Sequence, residues 1–441
     1  MSRNRSLGVV AGLLLLGFSC TVQSAPKAIT ELPLQSNGDN RWLLPAGEYS
    51  GQFYISAPMH LRCEDGVVFL AQGRGNALTV QAPAVTIENC GVRDWGRNLT
   101  EMNAGIFVRP EAHGTRIKKN NLQGPGFGIW VESASGVYVI GNTIKGDSSI
   151  RSQDRGNGIH LFNVSGARVT GNHVSLTRDG IYIDNSHENR LEGNVLEDLR
   201  YGVHYMFSHR NTLSKNVTRR TRTGYALMQS RELTVTGNRS EQDENYGILM
   251  NYITYSTLQN NIVSHVSRGS SADATSSGSS TVTGDEGKAL FIYNSVFNTI
   301  ENNRFAYSTL GIHLTAGSED NRISGNAFIE NEQQVKYVAT RTQEWSVEGR
   351  GNYWSDYLGW DRNGDGSGDV PYEPNDNVDR LLWRYPQVRL LMNSPAIQVL
   401  RWVQRAFPVV KSPGVQDSYP LMQIPTASNN SELRSLHHER G

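Results

Sequence analysis

The residues of this chain best suited to chemistry are one histidine and two methionines, His204, Met206 and Met228. His204 and Met206 are two apart, so on a β-strand both project from the same face, with Cα atoms about 6.7 Å apart. Met206 and Met228 are 22 residues apart, one period of the repeat that dominates the chain. One imidazole and two thioethers make a soft donor set, suited to Cu(I) rather than to Mg²⁺ or Zn²⁺. A Met stripe also serves as packing or as an adaptable protein interface, and those uses stay open at this point. A second cluster, Asp361, Asn363, Asp365 and Asp369 with Gly366, has the alternating spacing of a Ca²⁺ loop. Its twelfth position, where such loops carry an acid, is Tyr372, so an Asx-turn-rich cap is the competing expectation.

A repeat must position these side chains. Units open at Gly128, Gly158, Gly180, Gly202, Gly224, Gly247, Ala289 and Gly311, and each reaches an Asn: 142, 172, 194, 216, 238, 261, 303 and 326. The Asn follows the opening residue by 14 positions in the first seven units and by 15 in the last, and most units are 22 or 23 residues apart. Gly105 opens a looser, earlier copy. Within the units, short alternating apolar segments are punctuated by Gly and Asn, which is a strand signal. One short-stranded coil per unit, stacked about 4.8 Å apart, predicts an all-β, right-handed parallel β-helix. The recurrent Asn is expected in a left-handed turn, bonded to its equivalents above and below.

Alternation within each unit turns the first and third residues after the opening Gly inward and the second and fourth outward. The outward columns hold Trp130, His160, Tyr182 and His204, then Phe162, Asp184, Met206 and Met228. Aromatic and sulfur side chains on an outer wall predict a binding surface, with Trp130, His160, Phe162, Tyr182 and Asp184 as partner contacts. The alternative is that a loop or the C-terminal segment covers this face. Two stretched units bring insertions to one corner, one with Asp147, Arg151, Asp154 and Arg155, the other Ser/Gly-rich over 269–284. A polysaccharide-binding or -cleaving protein is the alternative function. Yet the outward columns show no carboxylate pair on adjacent coils for acid–base hydrolysis.

The N-terminus has Arg3 and Arg5 before an apolar run from Leu7 to Phe18, then small residues. That describes a secretory signal peptide over 1–24, and the run is short for a bilayer span of about 20 residues. Residues 25–345 are assigned to the β-helix and 346–392 to an Asp/Gly-rich cap. A C-terminal helix with an extended segment follows over 393–422, and a disordered tail over 423–441. Ser394 and Pro395 start that helix, and Ala396, Val399, Leu400, Val403, Ala406 and Phe407 form its apolar stripe. After export Cys63 and Cys90 remain, a pair expected to form a disulfide, with separately buried thiols as the alternative. Lys plus Arg and Asp plus Glu are 42 each in 441 residues, and this zero net charge argues against a nucleic-acid partner. With no other long apolar stretch, the chain is expected to meet a membrane only through partners.

Several stretches carry a specific resemblance. They are Arg151-Ser-Gln-Asp-Arg-Gly-Asn-Gly-Ile-His160, Tyr201-Gly-Val-His-Tyr-Met206, Gly224-Tyr-Ala-Leu-Met228, Asn352-Tyr-Trp-Ser-Asp-Tyr357 and Lys411-Ser-Pro-Gly-Val-Gln-Asp-Ser418. They resemble the NosD family, periplasmic maturation factors of nitrous-oxide reductase in the carbohydrate-binding/sugar-hydrolase β-helix superfamily. The resemblance covers essentially the whole mature chain and implies a non-enzymatic role in assembling copper centres. It implies an ABC transporter with membrane subunit NosY and ATPase NosF, the copper chaperone NosL, and the reductase NosZ as partners. ATP would be hydrolysed by NosF, and this chain carries no Gly-x-x-x-x-Gly-Lys loop.

Overall fold

The computed structural model describes residues 25–267, 287–315, 317–338, 341–374, 394–396, 399, 403 and 414–425. The predicted signal peptide, the Ser/Gly-rich insertion and residues 426–441 of the predicted tail lie outside them. So does most of the predicted C-terminal helix, of which Pro395, Ala396, Val399 and Val403 are described as helical.

Among the described residues three sheets of 13 strands each wind into a right-handed parallel β-helix, every coil between the first and the last giving one strand to each sheet. Its neighbouring strands are parallel, apart from Gln35–Ser36 against Arg41–Leu44. Inside, identical positions stack: Ile106, Ile129, Ile159, Ile181 and Val203 are partners on successive coils and have no exposed surface. β-Branched residues suit this arrangement, because both the strand and its neighbours hold χ1 in one well.

A polar column runs through the same interior. Asn120, Asn142, Asn172, Asn194, Asn216, Asn238, Asn261, Asn303, Asn326 and Asn352 are all buried. Each side-chain Nδ2 donates to the Oδ1 of the next, at 2.8–3.0 Å. Asn261 and Asn303 are 42 residues apart yet bonded at 2.9 Å, so the insertion between them leaves the register untouched. The left-handed turn falls one residue earlier than expected, at Lys119, Gly141, Gly171, Gly193, Lys215 and Gly237. The reason is the Asn backbone N–H, which must lie along the solenoid axis to reach the next Oδ1, as Asn194 does at 3.0 Å. The preceding residue therefore makes the bend, and Gly tolerates it best.

Both ends of the column are closed by chemistry. At the N-terminal end of the column, on the third coil, Cys90 takes the Asn position, its N–H donating to Asn120 Oδ1 at 2.9 Å. Cys90 is joined to Cys63 of the previous coil by a disulfide, Cα atoms 5.1 Å apart. At the other end every amide offers donors, so an acceptor-only group must finish the series. Asp417 does so, taking Asn352 N at 2.7 Å and Trp354 Nε1 at 2.8 Å. Val415–Gln416 pairs with Gln343–Glu344, tying the C-terminal segment across this end.

Candidate functional site

The thirteen-stranded sheet that includes Phe127–Glu132, Ile159–Phe162, Asp179–Asp184, Tyr201–Met206, Thr223–Met228 and Tyr246–Asn251 carries the outward columns. Trp130, His160, Tyr182 and His204 are partners in register. Phe162, Asp184, Met206, Met228 and Asn251 form the second column, with Met206 and Met228 paired directly. Both methionines are half-buried, between the fully buried Tyr205 and Leu227 and the solvent. Met250 lies in the core.

A third outward column was not legible from strict alternation: Phe127, Asn157, Asp179, Tyr201, Thr223 and Tyr246, each just before the opening Gly. The opening Gly itself faces inward at a corner. A Cβ on Gly180 would stand 2.6 Å from Gly202 O and 2.9 Å from Leu199 Cδ1. Because Gly180 and Ile181 both face inward, the pleat is broken there and Asp179 joins the outer face. The repeated Gly, with an apolar residue directly after it, was the signal available.

This third column changes the setting of His204. Its Nδ1 lies 3.0 Å from Asp179 Oδ2, and Arg200 grips the same carboxylate through Nε at 2.8 Å and Nη2 at 2.7 Å. Burial pushes the Asp179 carboxyl up, but hydrogen bonds from His204 and Arg200 outweigh it and hold the group below the ordinary range. The His204 ring stacks on Tyr182 at 4.2 Å and meets Tyr201 edge-on at 5.0 Å. Tyr182 in turn lies 4.6 Å from His160, which lies 4.0 Å from Trp130. Burial drives the His160 imidazole down to about 3 and the Tyr182 phenol up to about 12, with Asp184 and Asp179 reinforcing the latter. Burial also raises the Asp184 carboxyl.

Part of this wall is covered, which corrects the expectation of an open surface. Trp130 and His160 are 7% and 6% exposed, and His204 only 7%. Phe107, Phe127 and Trp130 form a separate apolar cluster with Leu99 and Met102 of the 97–103 segment folded over it. Trp130 and His160 are therefore buried parts of this wall, while Phe162, Tyr182 and Asp184 keep exposed surface. The insertion before Gly158 is fixed rather than open. Arg155 donates to the carbonyls of Ile150 and Leu176 at 2.7 and 3.0 Å, and Arg151 pairs with Asp154 at 2.7 Å.

Eleven buried polar side-chain atoms lack a hydrogen-bond partner among the described residues, and seven lie on or beside this face. They include His160 Nε2, His204 Nε2 and Asn251 Oδ1. Unpaired buried polar atoms are costly, and here they concentrate on one face of the solenoid. Among the described residues no three His, Cys, Asp or Glu side chains are placed to share a metal ion. His204 with Met206 and Met228 would offer a Cu(I) ion a matching donor set by type.

The Asp/Gly loop is organised otherwise. Asp361 accepts the backbone N–H groups of Gly364, Asp365 and Gly366, and Asp369 accepts that of Arg362. Asn363 and Asp365 bond each other and the Asp365 and Ser367 N–H groups. These are Asx turns, and they lend no support to Ca²⁺.

Residues 140–359 match the family described as "Periplasmic copper-binding protein (NosD)". The chain is 70% identical over 413 residues to a "Probable ABC transporter binding protein NosD" of Stutzerimonas stutzeri, covering 94% of each. It is 66% identical over 420 residues to a protein of the same name from Pseudomonas aeruginosa, covering 95% of this chain and 96% of that one. Among solved structures it resembles a Yersinia enterocolitica family 28 exopolygalacturonase at 10% identity and a TM-score of 0.47, over 72% of this chain and 77% of that one. It also resembles PfbA, a surface adhesin of Streptococcus pneumoniae, at 8% identity and 0.48, over 68% and 84%. Among the described residues no helix is long and apolar enough to cross a membrane.

Proposed function

The chain belongs to the NosD family, and from that premise we propose that it is the periplasmic component of an ABC-type complex that assembles the copper centres of nitrous-oxide reductase. In this reading residues 1–24 direct export, and the membrane subunit NosY and ATPase NosF move the rigid solenoid. Its outer face then meets the copper donor NosL and the acceptor NosZ in turn. The chain performs no catalysis. It holds Cu(I) transiently at His204, Met206 and Met228 during hand-over.

One observation carries the copper part: two thioethers stand in register on adjacent coils, on the face where His204 Nε2 is without a partner among the described residues. Thioethers bind Cu(I) while remaining neutral and weakly basic, which suits an ion that must leave again. Phe162, Tyr182 and Asp184 border the site and supply contact surface for a docking protein.

The test is an anaerobic Cu(I) titration of the mature protein against the Met206→Leu/Met228→Leu variant. Leucine keeps the volume and removes both sulfurs, so stability should hold. We expect affinity to fall by more than about 100-fold, since donor loss exceeds the 10- to 100-fold typical of supporting residues. Reductase copper loading should fall with it. Unchanged affinity together with unchanged loading would remove this site.

A further inference from the structure

We infer that Asp179 is a positioning residue for His204: it fixes the imidazole as its Nδ1–H tautomer, so that Nε2 presents a lone pair. The inference rests on the proposed Cu(I) role of His204. Asp179 has two oxygens and both are used. Oδ1 accepts Arg200 Nε, and Oδ2 accepts Arg200 Nη2 and His204 Nδ1 at 2.7 and 3.0 Å. A carboxylate only accepts hydrogen bonds, so the hydrogen must sit on Nδ1. In the neutral ring Nε2 then carries a lone pair, and that atom is buried without a partner among the described residues. Metal-binding histidines are held in this way, the second ring nitrogen donating to a carboxylate that sets the tautomer.

The surroundings leave the ring little freedom. Tyr182 lies parallel to it, 8° between planes, and Tyr201 closes the other direction. Arg200 lies over the Tyr201 ring at 4.4 Å while gripping Asp179 with two hydrogen bonds, so the carboxylate cannot rotate away.

His160, two coils earlier in the same column, is the contrast. Its Nδ1 faces Asn157 Nδ2 at 3.2 Å, and Asn157 Oδ1 has no partner among the described residues. Turning that amide would exchange donor for acceptor, so an Asn can satisfy either tautomer. Only the acceptor-only side chain at 179 dictates which nitrogen is free. That selects His204, beside the sulfur pair, over His160.

The experiment is ¹⁵N NMR of the full mature chain labelled at histidine, with the His204 signals identified by their loss in His204→Gln. Wild type should show a protonated Nδ1 and an unprotonated Nε2. In Asp179→Asn a single oxygen remains, which the Arg200 guanidinium takes, and the amide NH₂ turns to Nδ1. The hydrogen should then move to Nε2, and Cu(I) affinity should drop about 10- to 100-fold. A wild-type His204 protonated on Nε2 overturns the inference, as does a variant with unchanged tautomer and affinity. The wild-type spectrum decides the matter even where the variant does not fold. Undiminished Cu(I) binding by the Met206→Leu/Met228→Leu variant sinks the copper reading instead and leaves the tautomer result standing.

Discussion

The inner asparagine column and the outer wall of the same coils solve one problem in opposite ways. Both are stacks of buried polar side chains repeating every 22 or so residues. In the inner column Asn216 donates to Leu191 O and Asn238 Oδ1 while its own Oδ1 accepts from Asn194 twice. Nothing is left over. On the outer wall Trp130 Nε1, His160 Nε2 and His204 Nε2 are buried and, among the described residues, unpaired. Polar networks that close on themselves specify the fold, and those that stay open are available for something else. Among the described residues Trp95 Nε1 and Tyr205 OH, both in the core, depart from this division.

The largest effect that would break this comparison is in the inner column. Asn216→Leu leaves two buried donors of Asn194 unsatisfied and takes one donor each from Leu191 O and Asn238 Oδ1, so urea denaturation should report a loss of about 3–5 kcal/mol. Trp130→Phe on the outer wall removes an indole N–H that bonds nothing among the described residues, and its cost should stay at about 1–2 kcal/mol, that of the lost ring volume alone. Equal costs would erase the distinction.

A smaller effect, read as pH dependence, sharpens it. Burial pushes the Asp243 carboxyl up to about 6 against hydrogen bonds from Ser240, Thr221 and Thr218. Unfolded it titrates near 3.9, so its contribution is full below about pH 4 and is lost as pH rises through 6. His160 runs the other way: down at about 3 when folded against about 6.5 unfolded, it contributes above pH 6.5 and loses that as pH falls. Between pH 7 and pH 5 the inner acid adds, and the outer histidine subtracts, roughly 1–2 kcal/mol each. Denaturation of Asp243→Asn and His160→Gln at both pH values checks the signs. The first variant should fall further behind wild type at pH 5, and the second should gain on it.

Much of the fold and the Met206–Met228 pairing could be read from spacing, because a solenoid turns sequence period directly into neighbourhood. What escaped had no period or broke the pleat. Asp417 ends the asparagine column from 65 residues beyond Asn352, with no repeat to announce it. Asp179 reaches the outer face only because Gly180 and Ile181 both turn inward, which strict alternation does not anticipate. The cover over Trp130 comes from Leu99 and Met102, in a segment outside the clear repeats. The left-handed turn moved by one residue because the backbone N–H of each Asn is itself part of the ladder.

X-ray absorption at the copper edge, on the mature chain loaded anaerobically with one equivalent of Cu(I), tests the central claim most directly. Two sulfur neighbours and one imidazole nitrogen around the ion are predicted. A shell of nitrogen and oxygen alone, or copper lost on desalting, would contradict it.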